Sequence, residues 1–210
     1  MNQYHKIQTV FLRDPATNYK TLLEGQYALP EFEYLADNQW VWTEKVDGTN
    51  IRVMWDGTTI TFGGKTDNAQ IPAFLVNRLS DTFFPLRDTF LSLWPDGGVC
   101  LYGEGYGAKI QKGGGNYRPD QDFVLFDVKV GDWWLRRGDV EIVSAKLGID
   151  VVPVIGYGTL FEMVELARNG FESEWGHFTA EGIVARPYVE LFNRGGNRII
   201  TKIKHSDFRP

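Results

Sequence analysis

Residues 41–62 read VWTEKVDGTNIRVMWDGTTITF, and the pattern of this stretch decides the fold. Along residues 41–47 and 50–55 apolar and polar side chains alternate, with Ile51 and Val53 on one side and Asn50 and Arg52 on the other. A period of two marks a strand with one face against a core. Asp47-Gly48 supplies a turn signal between the two runs, and Asp56-Gly57 supplies another before Thr59–Phe62. Two successive hairpins are expected.

Outward from this stretch the chain continues as short strands, Gly-rich turns and a few helices. Ile71–Phe84 has helical spacing of apolar residues, with Pro72 at its start. Val99–Gly103 and Phe123–Val130 have the composition of buried strands, and Trp133–Leu135 is expected to return as a hairpin. Val140–Leu147 is predicted helical and stops at Gly148. Val151–Ile155 is a further strand, and Thr159 with Glu162 forms a capping box for a helix through Arg168. Gly182–Arg186, Glu190–Asn193 and Arg198–Ile203 are predicted strands. No repeat or low-complexity linker interrupts the chain, so the expectation is one α+β domain over residues 1–210, with at least two antiparallel sheets flanked by helices.

A chain of 210 residues that is 43% hydrophobic and 14% aromatic can bury a sizeable core, which excludes a disordered class. No apolar run approaches the roughly 20 residues that span a bilayer. The single Cys100 cannot form an internal disulfide, and the composition suits a reducing, cytoplasmic setting. His5, His177 and His205 are too scattered for a zinc site, and no Gly-x-x-x-x-Gly-Lys-Ser/Thr phosphate loop is present. The net charge of −5 is awkward for a nucleic-acid enzyme. From residue 186 onward, however, Arg186, Arg194, Arg198, Lys202, Lys204 and Arg209 face only Glu190 and Asp207. That excess fits a basic groove on an acidic body, or a solvated pair of strands.

Five small motifs carry candidate chemistry. They are Glu44-Lys45-Val46-Asp47-Gly48-Thr49-Asn50, then Tyr102-Gly103-Glu104-Gly105, then Phe123-Val124-Leu125-Phe126-Asp127-Val128, then Glu181-Gly182-Ile183-Val184, and last Lys202-Ile203-Lys204. In the last, alternation puts both ammonium groups on one face of a strand and Ile203 on the other. Taken singly each has a plain structural reading: Phe126 as core, Asp127 as an edge charge, Glu181 as a turn residue. Their order is the informative feature.

That ordered set, from Glu44 to Phe208, resembles the covalent nucleotidyltransferase superfamily of DNA ligases, RNA ligases and mRNA capping enzymes, whose domain is ATP-grasp-like. Thr49-Asn50, Phe62-Gly63-Gly64-Lys65-Thr66, Tyr102-Gly103-Glu104-Gly105-Tyr106-Gly107, Lys112, Tyr117 and Lys202-Ile203-Lys204-His205-Ser206-Asp207-Phe208 resemble the RNA ligases that seal nicks in duplex RNA. Asp47 departs from the histidine of the phage prototype, and Lys65 stands where arginine is common. The resemblance implies an adenylyltransferase domain with Lys45 as the nucleophile that carries AMP, and Lys202 and Lys204 as catalytic cations. It further implies Glu104 on the ribose, Phe126 on the adenine, Glu44, Asn50 and Lys65 around the nucleotide, and Glu181 toward magnesium or manganese.

The residue types suit that reaction. A free lysine has a pKa of about 10.4, so presenting its neutral form at pH 7 costs roughly 4 to 5 kcal/mol. Neighbouring cations, whether Lys202, Lys204 or a divalent ion, favour the neutral amine and stabilise charge on the α-phosphate. Arg52, Lys109, Lys112 and Arg118 are candidates for gripping nucleic acid or for ordinary solvated charge. The expected partners are RNA ends or nicks, with DNA as the alternative polynucleotide, no membrane, and a monomeric chain. A DNA ligase, a capping guanylyltransferase and a catalytically silent end-binding module are the rival readings. Lys204 lies close to the last residue, Pro210, so no OB-fold or other C-terminal domain is expected within this chain.

Overall fold

The computed structural model describes residues 3–209. In chain order the first elements are β1 (Gln8–Thr9), β2 (Phe11–Arg13), β3 (Leu22–Tyr27), α1 (Pro30–Tyr34), β4 (Trp40–Lys45), β5 (Thr49–Trp55) and β6 (Ile60–Gly63). Helices α2 (Ala73–Phe83) and α3 (Arg87–Leu93) precede β7 (Val99–Gly107), β8 (Gln121–Val130), β9 (Trp133–Trp134) and α4 (Arg137–Leu147). The remainder comprises β10 (Asp150–Val151), β11 (Val154–Gly158), α5 (Leu160–Asn169), β12 (Glu172–Ser173), β13 (Gly176–Thr179), β14 (Gly182–Pro187) and β15 (Thr201–Lys204).

These elements form two compact units, one from residues 47–152 with the N-terminal segment through His5, the other from residues 6–46 and 153–210. The first is built on the sheet β10-β8-β7-β5-β6, with β9 paired to β8. Its core puts Ile51, Val53, Trp55, Leu101 and Leu125 against Leu75, Leu79 and Phe83 of α2 and Val140 and Leu147 of α4. The α2 residues recur every four positions and so form one stripe. Helix α4 ends at Gly148, whose φ of 62° is the left-handed conformation that closes a helix without a Cβ clash.

The second unit is built on the sheet β1-β15-β14-β4-β11. Trp40 and Trp42 of β4, Ile183 and Ala185 of β14 and Ile203 of β15 pack on Leu160, Met163, Val164 and Ala167 of α5. Thr159 and Glu162 form the capping box that starts α5. Both sheets are mainly antiparallel, with parallel additions only at β1–β15 and β10–β8. No described helix is long and apolar enough to cross a membrane.

Three strand expectations are corrected. Residues 41–47 and 50–55 are strands but not hairpin partners: β4 pairs with β14 and β11, while β5 pairs with β6 and β7. Asp47-Gly48 carries the chain from one sheet into the other. Gly48 does not have the positive φ of a two-residue hairpin turn; a Cβ there would lie 2.3 Å from the Gly105 carbonyl oxygen, so close approach is what demands glycine. Val151–Ile155 breaks in two. The Val152 N–H donates to Leu125 O, whereas Pro153 has no N–H and accepts from Glu44 N on the other side of the break. Glu190–Asn193 is no strand; only an isolated bridge joins Phe192 to Arg198, and β15 begins at Thr201. A turn through Asn193–Asn197, closed by the Asn193 side chain, occupies this region.

Candidate active site

Along β4, Trp40 and Trp42 point into the core while Val41, Thr43 and Lys45 take the other face. The register of the sheet then sets the neighbours of Lys45. Gly182 of β14 lies opposite Lys45 on one side and opposite Lys204 on the other, so the two lysines flank a residue with no side chain. Val184 likewise separates Thr43 from Lys202, one row along the same face. A Cβ on Gly182 would meet Ile203 O at 2.2 Å.

Glu181, the residue before β14, binds both lysines. Its Oε2 lies 2.6 Å from Lys45 Nζ and its Oε1 lies 2.5 Å from Lys204 Nζ. The carboxylate is mostly buried, with 13% of its side chain exposed, against 20% for Lys45 and 36% for Lys204. The His205 N–H donates to the Glu181 carbonyl, which ties the acid to the end of β15. Asp207 accepts from the Lys204 N–H and pairs with Arg13 at 2.6 Å, bracing the same corner.

Glu44 turns to the face opposite Lys45 and is 1% exposed. Its oxygens accept from Ser173 Oγ at 2.6 Å and from the Glu174 N–H at 2.9 Å. Burial raises its pKa, and those two hydrogen bonds oppose the rise.

In the other unit, Asn50 and Glu104 sit directly across β5 and β7, and Asn50 Nδ2 donates to Glu104 Oε2 at 2.9 Å. Tyr102 is paired with Asp127 and Gly103 with Leu125, which leaves Phe126 as the extra residue of a β-bulge. Bulges re-aim side chains, and Phe126 is half-buried rather than a core residue. The Tyr4 ring meets Phe126 edge-on at 5.1 Å, and the Tyr4 hydroxyl donates to the fully buried Asp127 at 2.7 Å. The segment after Lys45 is pinned as well: the Asp47 N–H donates to Tyr117 Oη at 3.1 Å, and Gln111 Nε2 donates to Gly48 O at 2.9 Å. Gln111 escaped the sequence reading because nothing local distinguishes it from loop glutamines.

Arg52 is 3% exposed, donating to Gly64 O at 2.9 Å and to Asp67 at 2.7 Å, so it is not a solvated side chain. That guanidinium holds the Asp67 carboxyl below its usual range. Arg118 binds Asp120 and Asp122 and stacks over Tyr106, which makes it part of the loop's own framework. Lys65, Lys109 and Lys112 are exposed loop residues. The structure therefore groups Lys45, Glu181 and Lys204 in one unit, with Lys202 in the adjacent row. It groups Asn50 with Glu104, and Phe126 with Asp127 and Tyr4, in the other.

An RNA ligase family model matches residues 38–204, most of the chain. The chain belongs to the RNA ligase family. Solved structures of Naegleria gruberi RNA ligase share the fold. An apo variant matches with a TM-score of 0.72 at 17% identity, over 99% of this chain and 56% of that one. The form with PPi matches with a TM-score of 0.70 at 18% identity, over 97% of this chain and 56% of that one. A variant with AMP and Mn matches with a TM-score of 0.68 at 17% identity, over the same shares. This RNA ligase family member spans little more than half the length of those ligases.

Proposed function

We propose that this chain acts as an ATP-dependent RNA ligase, joining 5′-phosphate and 3′-hydroxyl ends through AMP carried on Lys45. The observation that carries the reading is the Glu181 carboxylate held between Lys45 Nζ and Lys204 Nζ. A nucleophilic amine, a second cation and a hard oxygen ligand in one cluster are what phosphoryl chemistry on ATP requires. Structures of the Naegleria ligase with ATP and Mn, AMP and Mn, and PPi accord with that cofactor set.

In the first step Lys45 leaves its ion pair with Glu181, releases a proton to solvent water and attacks the α-phosphorus. A nitrogen–phosphorus bond forms, the bond to the bridging oxygen breaks, and pyrophosphate departs. Lys204 and Lys202 stabilise the charge on the phosphate oxygens. AMP then passes to a 5′-phosphate, and a 3′-hydroxyl displaces it. Glu104, oriented by Asn50, accepts from the ribose hydroxyls, and Phe126 stacks on the adenine. Glu44 acts from beneath the strand, locking β4 to the turn at Ser173–Glu174. Lys65 is assigned to phosphate as a point charge.

Magnesium or manganese fits Glu181. No group of three or more metal-ligating side chains exists among the described residues, and magnesium is commonly held by one or two carboxylates plus substrate phosphates. When bound, such an ion neutralises phosphate charge.

Incubation with α-labelled ATP or GTP and magnesium, followed by denaturation, tests the reading. Label from ATP that disappears in Lys45→Ala is expected. Label from GTP alone points to capping chemistry, and label that persists in Lys45→Ala overturns the nucleophile. Sealing of matched RNA and DNA nicks then decides the polynucleotide.

A further inference from the structure

The face of the second unit's sheet that carries Lys45 continues well past it. Antiparallel register fixes which residues share that face. Beyond the row Lys45–Gly182–Lys204 comes Thr43–Val184–Lys202, and then a row in which Val41 lies between Tyr157 of β11 and Arg186 of β14. Successive rows are about 7 Å apart, so this third row stands about 14 Å from the nucleophile's row. Tyr188 extends the face further: its N–H donates to Gln39 O just past the end of β14, and it lies two residues from Arg186. The rings of Tyr157 and Tyr188 meet at 6.1 Å and 63°.

Both tyrosines are largely solvent-exposed, at 54% and 61%. Tyr157 sits on β11, the last strand of its sheet. One sheet face thus carries four basic side chains, Lys45, Lys202, Lys204 and Arg186, with the Glu181 carboxylate paired to Lys45 and Lys204, and ends in a pair of exposed aromatic rings. A cationic track with aromatic faces at its end is the composition that holds single-stranded nucleic acid, because phosphates need cations and any base can stack on a ring.

We infer that Tyr157 and Tyr188 form a stacking platform for unpaired bases of a polynucleotide strand, with Arg186 on its phosphate backbone. The inference rests on the ligase reading for its partner and extends it by assigning a surface to the substrate strand. The charge pattern favours this occupant over a second protein, since an apolar partner has no use for the line of ammonium and guanidinium groups leading to the rings.

The test measures binding of a fluorescent 5′-phosphorylated single-stranded RNA to the chain, alongside labelling of Lys45 by ATP. Tyr157→Ala with Tyr188→Ala is expected to weaken RNA binding by at least about 10-fold. Labelling of Lys45 is expected to stay at the wild-type level. Tyr157→Phe with Tyr188→Phe keeps the rings and is expected to bind as the wild type does. Arg186→Gln is expected to reduce the slope of log affinity against log salt by about 0.7, the share of one phosphate contact on a single strand. Unchanged RNA affinity in the double alanine variant overturns the platform, as does an equal loss for a blunt duplex with no unpaired bases. Failure of the wild type to bind the strand overturns it too. Absence of ATP labelling in the wild type is a separate result that counts against the ligase reading.

Discussion

Gly182→Ala is the sharpest test of how the sheet sets the chemistry. The added methyl would lie 2.2 Å from Ile203 O and 2.7 Å from Lys204 Cα, both backbone atoms of the adjoining strand. Neither can rotate away. Reaching an ordinary contact of 3.4 Å requires β14 and β15 to part locally by about 1 Å. Glu181 leads into β14 and Lys204 ends β15, so the 2.5 Å contact between them opens by a similar amount, out of hydrogen-bond range. Overpacking of this kind costs about 1–3 kcal/mol. For a chain of this size each kcal/mol lowers Tm by about 2–4 °C. A misplacement of about 1 Å in a catalytic constellation lowers rates on the order of 100-fold. The expected result is a folded protein, melting several degrees lower, whose initial rate of ATP labelling falls by about two orders of magnitude. Rates should be compared at a temperature well below the lower Tm, with circular dichroism to verify the fold. Near-normal labelling in a Gly182→Ala protein with the expected drop in Tm would refute the coupling between strand spacing and the lysine–glutamate cluster.

Three further outcomes are expected. Phe126→Ala removes the bulge-presented ring and is expected to weaken ATP binding by about 5- to 150-fold, while saturating ATP still labels Lys45; equilibrium dialysis and labelling titrations separate the two effects. Tyr117→Phe deletes the acceptor of the Asp47 N–H, a loss of about 1 kcal/mol, and is expected to slow labelling about fivefold at constant label stoichiometry in single-turnover assays. Glu44 has a folded-state pKa raised by burial, so its folded form binds the proton more tightly than its unfolded form. Its contribution is therefore fully present below the ordinary carboxylate value and lost as pH rises through the raised one. Urea midpoints followed upward in pH from that ordinary value should shift in favour of Glu44→Gln relative to the wild type, and a pH-independent difference would remove Glu44 from the account.

Local signals in the sequence carried a good deal. Alternation around Lys45 and along Lys202-Ile203-Lys204 correctly gave strands, with Ile203 fully buried between two half-buried lysines. The Thr159–Glu162 box and Gly148 marked the ends of helices where they occur. Helix α3 and the strands β2 and β3 went unread, since α3 is only two turns long and β2 and β3 show no sustained alternation. The Asp47-Gly48 misreading has a clear cause: an Asp-Gly pair flanked by strands signals a turn, but it says nothing about whether those strands pair with each other or with distant ones.

Alternation and capping, which depend on neighbours a few residues apart, were enough to place the chain in its fold class, and the family resemblance carried by the order of the motifs singled out Lys45, Glu181 and Lys204. Tertiary structure alone decided that Glu181 bridges two lysines, that Phe126 is lifted by a bulge and that Glu44 turns away from the face of Lys45. Lys45 and Glu181 are 136 positions apart in the chain, and they meet only because β4 and β15 both pair with β14 in one register. Register is a collective property of a whole sheet, set by which face must be buried, and a shift of one residue would send every one of these side chains to the opposite side.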